Sequence, residues 1–224
     1  MRFLKPMLVL TVMALAQSCT RLPETPPANL AAERAREAEK FKTWKDIRQQ
    51  HVVMQRYDYS CGAAAMATLM RYYFADDVTE REVLLDILDH ISVEDTKKRK
   101  KEGFSLLDLK EYAERQGYQA AGVDLELAAL RQLAGPVLVY LETDGYKHFA
   151  ILRGVREDRV FLADPSRGNV SVPVSRFVTQ WSGITLVLGK EGFGTPAAYP
   201  LAVDHDSPFR PQVRTARRAL YLQP

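Results

Sequence analysis

The spacing of apolar positions changes near the middle of the chain, and the change predicts two structurally different halves. Between residues 61 and about 133 apolar side chains recur every three or four positions, the helical period. CGAAAMATLMRYYF (61–74) is the first such run, and DVTE (77–80) opens a second that continues to about Asp89. FSLLDLKEYAERQG (104–117) carries Ser105 as N-cap, Asp108 at the third helical position and Gly117 as stop. DLELAALRQL (124–133) predicts one more short helix. From residue 135 the runs are short, β-branched and separated by turn residues: 135–143, 147–155, 158–165, 168–174 and 183–189. SRFVTQW (175–181) predicts a brief helix before the last of these strands. Helices first and strands second predict an α+β fold rather than an alternating one.

Ahead of this body, AAERAREAEKFKTWKDIRQQ (31–50) predicts a surface helix with Asn29 as cap and Phe41 and Trp44 on one face. HVVMQ (51–55) reads as a short strand, and EDTKKRKKEG (94–103) as a charged, solvated connector. TRLPETPPANL (20–30) holds three prolines and few bulky apolar groups, the composition of a spacer. The first twenty residues, MRFLKPMLVLTVMALAQSCT, place basic residues before an apolar run from Met7 to Ala16 and end on small residues. That is the order of a secretory signal, and the run is short for a membrane span. Two processing sites fit. Cleavage after Ala14-Leu15-Ala16 would release a soluble chain starting at Gln17. Ala16-Gln17-Ser18-Cys19 is similar to a lipobox and would leave a lipid anchor on Cys19, although Leu15 stands four residues before the cysteine instead of three. Either predicts export to the periplasm. The expected organisation is a signal over 1–18, a linker and surface helix over 19–49, one domain over 50–189, and a Pro- and Arg-containing tail over 190–224.

Composition adds exclusions. The 224 residues are 46% hydrophobic and 26% charged, ordinary for a globular domain, and carry a net charge of +3. Arg2 and Lys5 supply two of those charges from the targeting segment, so no nucleic-acid partner is expected. The cysteines are two, Cys19 and Cys61. With Cys19 cleaved away or lipidated, Cys61 is a lone thiol in an oxidising compartment, which calls for a reason.

Cys61 stands where a helix begins. Unpaired N–H groups and the positive end of the helix dipole make that a setting in which cysteines act as nucleophiles. Gly62 and the alanines after it would let a substrate or a second sheet approach closely. A buried structural cysteine fits the same residues. Acyl transfer by a thiol also needs a base, a group to orient it, and donors for the oxyanion. Of four histidines, His51 has no defined direction, His90 ends a helix, and His205 lies in the tail. His148 opens the strand HFAIL, and Asp164 ends the next strand, VFLAD, where its carboxylate could orient the ring. Each also reads as an ordinary edge histidine or turn aspartate. Gln55, six residues before Cys61, could reach the space in front of the helix. One usable cysteine and no spaced histidine pair predict neither metal nor cofactor.

QRYDYSCGAAAMATLMRYY (55–73) resembles the opening motif of the C39 peptidases, papain-like cysteine proteases that trim double-glycine leaders from bacteriocin precursors. GFSLLDLKEYAERQGYQAAGVDLELAAL (103–130) is similar to the family's middle helices, and GPVLVYLETDGYKHFAILRGVREDRVFLADPSRG (135–168) resembles its catalytic strands. The resemblance covers about residues 50 to 188. It implies a papain-like fold, in which a helical half bearing the nucleophile packs on an antiparallel sheet bearing the base. It implies Cys61 as nucleophile, His148 as general base then acid, Asp164 as the orienting group, and Gln55 with the Cys61 N–H as the oxyanion hole. Bacteriocin-processing members usually precede transmembrane and ATPase domains in one long chain. The sequence shows neither and opens on an export pattern, and so resembles the stand-alone members that accompany functional-amyloid secretion in pseudomonads. The implied partner is a peptide or protein substrate, a secreted amyloid or secretion-system component. A papain-like murein peptide hydrolase and a non-enzymatic binding or chaperone module are the alternative readings.

Overall fold

The computed structural model describes residues 43–143 and 145–203. The signal and its two processing sites, Cys19, the spacer, Asn29, His205 and the end of the tail lie outside these residues. The expected helix over 31–50 is described only from residue 43, where Thr43 caps a short helix, α1 (Trp44–Gln49), through a reciprocal bond with Asp46. Four helices follow: α2 (Cys61–Tyr72), α3 (Glu80–Asp89), α4 (Val93–Glu102) and α5 (Leu106–Arg115). Thr79 with Glu82, and Ser105 with Asp108, close capping boxes at the starts of α3 and α5. Gly117 adopts φ +82°, a left-handed backbone that suits glycine and ends α5. The strands are β1 (Gln119–Asp124), β2 (Val137–Thr143), β3 (Tyr146–Arg156), β4 (Arg159–Asp164), β5 (Gly168–Pro173) and β6 (Ile184–Gly189). Single-turn helices α6 (Leu127–Leu130) and α7 (Val174–Phe177) interrupt them. The strands form one antiparallel sheet in the order β1-β6-β2-β3-β4-β5.

The core explains the layering. All ten residues from Cys61 to Met70 are buried, so α2 is the central helix. It packs with Leu138, Phe149, Ile151 and Leu186 of the sheet, and with Val83, Ile87, Leu109 and Tyr112 of α3 and α5. Alternate strand residues face the other way. Val139, Leu141, Leu152 and Leu162 meet Phe177 and Trp181 on the second face. A helical half therefore packs on an antiparallel sheet, as expected. The small residues of α2 serve this packing and do not leave the helix open. A Cβ on Gly62 would lie 3.1 Å from Leu109 and 3.2 Å from Phe149, tighter than side chains normally approach.

Four local expectations change. Residues 51–55 form no strand. His51 turns the chain at φ +58°, and the Val53 N–H donates to Thr68 Oγ1 at 2.9 Å instead of entering a ladder. Residues 94–103 are not a connector. They belong to α4, whose acidic first turn (Glu94, Asp95) and basic last turn (Arg99, Lys100, Lys101) complement the helix dipole without burying a side chain. Residues 119–124 form edge strand β1 on β6, which the sequence reading did not include. The helix expected over 124–133 shrinks to α6.

Residues 190–203 lack regular structure but do not trail away. Leu201 is fully buried, and Arg153 on β3 donates to the carbonyls of Leu201 (2.9 Å) and Ala202 (2.8 Å). Among the described residues no helix is long and apolar enough to cross a membrane.

Candidate active site

Three of the four expected site residues meet at one end of the sheet. Ser60 precedes α2, so Cys61 occupies the first helical position, and its backbone N–H has no intrahelical acceptor. His148 lies near the start of β3, and Asp164 ends β4. Ile151 pairs with Ala163 across these antiparallel strands, which puts Asp164 diagonally opposite His148. His148 Nε2 and Asp164 Oδ1 are 2.9 Å apart. An ionised carboxylate only accepts, so Nε2 carries a proton in either charge state of the ring, and Nδ1 is the nitrogen that takes and gives the second one. Nδ1 is buried and has no hydrogen-bond partner. Cys61 interacts with the same imidazole.

Asp164 is fully buried and densely bonded. Besides His148, its carboxylate accepts from the Ser166 N–H (2.8 Å) and O–H (2.7 Å), the Arg167 N–H (3.1 Å) and the Arg167 Nε–H (2.6 Å). Burial alone would raise its pKa. The bond to His148 and the charges of His148 and Arg167 outweigh it, and hold the carboxyl well below its ordinary range. Burial by itself would lower the His148 pKa. Asp164 and Cys61 reverse that and raise it to about 9. The result is a buried, oriented imidazole with an enhanced affinity for a proton, beside a thiol at a helix N-terminus.

Gln55 is tied to the site through its backbone. Its N–H donates to the carbonyl of Pro165, next to Asp164, at 2.9 Å. Its side-chain Nε2 donates to the Tyr57 carbonyl at 3.0 Å, which leaves a second proton on that nitrogen. Of the other histidines, His90 ends α3 with Nδ1 2.7 Å from the Asp86 carbonyl, and the His51 ring packs 5.3 Å from that of Tyr72.

A model of the Peptidase C39 family matches residues 49–192. The chain belongs to the C39 peptidase family. It is thus a cysteine peptidase. A probable functional amyloid protease, FapD of Pseudomonas aeruginosa, is 34% identical over 165 residues, which cover 71% of this chain and 72% of that one. The peptidase domain of Streptococcus ComA, a bifunctional ABC transporter, superposes with a TM-score of 0.54 at 16% identity over 62% of this chain and 98% of that domain. A double-glycine-motif protease from an AMS/PCAT transporter, solved with its leader peptide, gives a TM-score of 0.51 at 26% identity over 63% of this chain and 94% of its own. The papain-like fold expected from the sequence is the fold these C39 domains share.

Several residues around the C39 site were not anticipated. Ser166 and Arg167 complete the shell of Asp164, and only the turn character of Asp-Pro-Ser hinted at them. Tyr146 stacks on His148 with ring centroids 5.9 Å apart. Glu80 is buried and bonds to Ser60, next to Cys61. It stands on a different helix, so no local pattern announces it.

Proposed function

We propose that this C39 peptidase is an exported endopeptidase that cleaves a component of a functional-amyloid or other secretion system in the periplasm. In this reading Cys61 is the nucleophile, His148 the general base and then acid, Asp164 its orienting group, and Gln55 an oxyanion donor. The buried His148–Asp164 pair beside the Cys61 thiol carries the proposal. His148 Nδ1 holds the Cys61 proton as an imidazolium, and the sulfur attacks the peptide carbonyl carbon. The oxyanion is met by the Cys61 N–H and the free proton of Gln55 Nε2. The imidazolium gives its proton to the departing amine, which leaves an acyl-enzyme. His148 then deprotonates a water, whose oxygen displaces the sulfur and releases the acid.

A cleft of about 370 Å³ lined by Phe104, Leu106, Tyr140, Phe149 and Ile184 gives room for a substrate side chain. Phe149 of this cleft abuts Gly62, the residue after Cys61. The signal pattern of residues 1–18 supports export. The similarity to FapD supports an amyloid-associated substrate.

Gln55→Ala is expected to lower kcat by roughly 10–1,000-fold with little change in KM, since the oxyanion exists only past the ground state. Steady-state kinetics on the cleaved peptide measure it. The function is tested by comparing exported proteins from cells carrying the wild-type protein or the Cys61→Ala variant. An unprocessed amyloid subunit or secretion component should accumulate only with the variant. Identical export profiles, or release of peptides from purified murein by the wild type, would overturn the reading.

A further inference from the structure

We infer that Glu80, a buried carboxylate apart from the reacting groups, is a positioning residue that sets the orientation of Gln55. The inference rests on the oxyanion role proposed for Gln55 above. Glu80 is the first residue of α3 and only 4% exposed. A carboxylate removed from water is costly unless it is hydrogen-bonded. The start of α3 offsets part of that cost through its dipole. The Arg56 guanidinium stands 4.0 Å away and is largely in solvent. The hydrogen bonds of Glu80 go to the segment between Gln55 and Cys61. Its Oε1 accepts from the Ser60 hydroxyl at 2.6 Å and from the Arg56 N–H at 2.8 Å.

Ser60 Oγ also lies 2.8 Å from the Tyr57 carbonyl, but a hydroxyl has one proton to give. The charged carboxylate is the stronger acceptor, so the proton goes to Glu80. Ser60 Oγ in turn accepts from the Tyr57 N–H at 3.1 Å. The Tyr57 carbonyl accepts the Ser60 backbone N–H at 3.1 Å, and its other lone pair is left to Gln55 Nε2. That contact is the single hydrogen bond of the Gln55 side chain among the described residues, because Gln55 Oε1 is buried without a partner. The direction of the amide therefore depends on the second lone pair of the Tyr57 carbonyl staying open to it, and Glu80 keeps the Ser60 hydroxyl from taking that place. Without Glu80 the Ser60 hydroxyl turns to Tyr57 and competes with Gln55.

Two probes of Cys61 separate this role from simple support of the fold. With p-nitrophenyl acetate the sulfur attacks the acyl carbon, an oxyanion forms, and p-nitrophenolate leaves. With iodoacetamide the sulfur displaces iodide at a saturated carbon and no oxyanion forms. The Cys61→Ala protein supplies the blank for both. Glu80→Ala should lower the acylation rate constant roughly tenfold, less than the 10²–10³ for outright removal of a donor. Alkylation should stay within about twofold of wild type on the same reasoning. Glu80→Gln, whose carbonyl can still accept both bonds, should recover most of the acylation rate. In a Ser60→Ala background, which lacks the competing hydroxyl, Glu80→Ala should cost little of the acylation rate. In a Gln55→Ala background, Glu80→Ala should add nothing.

Equal losses in both reactions, or additive losses in the double variant, would overturn the inference and leave Glu80 a structural residue. A Gln55→Ala protein that acylates at the wild-type rate would instead overturn the oxyanion assignment on which it rests. Loss of acylation on Gln55→Ala, with none on Glu80→Ala, would remove the role of Glu80 alone.

Discussion

Cys61→Ala should abolish peptide-bond hydrolysis, with kcat falling by roughly 10⁴–10⁶, while the protein stays folded. Alanine removes the only atom at this position that can form the acyl-enzyme. Its neighbours His148 and Asp164 keep their mutual bond at 2.9 Å. The packing cost is small because one heavy atom is lost from a buried site. About 1 kcal/mol is the expected penalty, a shift of roughly 2–4 °C in Tm for a domain of this size. The pair of measurements matters. Loss of turnover with a cooperative melting transition shifted by no more than those few degrees assigns chemistry to the thiol. Loss of both would make Cys61 a core residue, the competing reading of its burial. An alanine variant that still cleaves substrate would remove Cys61 from the mechanism. Cys61→Ser should be nearly as inactive, since a hydroxyl is a far weaker nucleophile than a thiol at neutral pH.

What the sequence made legible depended on how local the signal was. The box Ser105/Asp108 announces α5 because cap and partner are three residues apart, and DVTE marks the start of α3. The long strands were readable from their β-branched content. Helix α4 escaped because it buries nothing, so it has no apolar period. Its signal was the order of its charges. QAAGVD gave no sign of β1, because its extended backbone is held by pairing with β6, about 65 residues away. At the site, His148 and Asp164 could be linked because adjacent strands carry them. The small residues after Cys61 signalled a close approach by a substrate or a sheet, but not that Leu109 and Phe149 are the groups that press on Gly62. Glu80 acts on a loop that it meets only in the folded chain.

Removal of Asp164 should produce the second large effect, and pH should expose its cause. Asp164→Ala is expected to lower kcat/KM by roughly 10²–10⁴. The imidazole would lose its orienting acceptor, and the Arg167 side chain and the Ser166 donors would lose theirs. Asp164→Asn is the informative partner, because its carbonyl can still accept from Nε2 and hold the tautomer. What it lacks is charge. In the wild type, burial lowers the His148 pKa, and the bond to Asp164 and the interaction with Cys61 raise it to about 9 in spite of that. The imidazolium that protonates the departing amine is therefore present at neutral pH, and kcat/KM should fall as pH rises through about 9. Without the Asp164 charge the His148 pKa drops, so Asp164→Asn should move this alkaline limb to lower pH. The same linkage acts on folding. A histidine whose folded pKa lies above its ordinary 6.5 contributes stability that is full below 6.5 and is lost as pH rises through about 9. The lowered pKa of Asp164 contributes stability above the ordinary carboxylate range near 3.8, lost only as pH falls through the lower folded value. Both contributions describe one ion pair, so Asp164→Asn should flatten the two limbs of a Tm-against-pH curve together. An alkaline limb of activity that stays in place in Asp164→Asn would show that another group titrates there, and that Asp164 holds His148 by geometry alone.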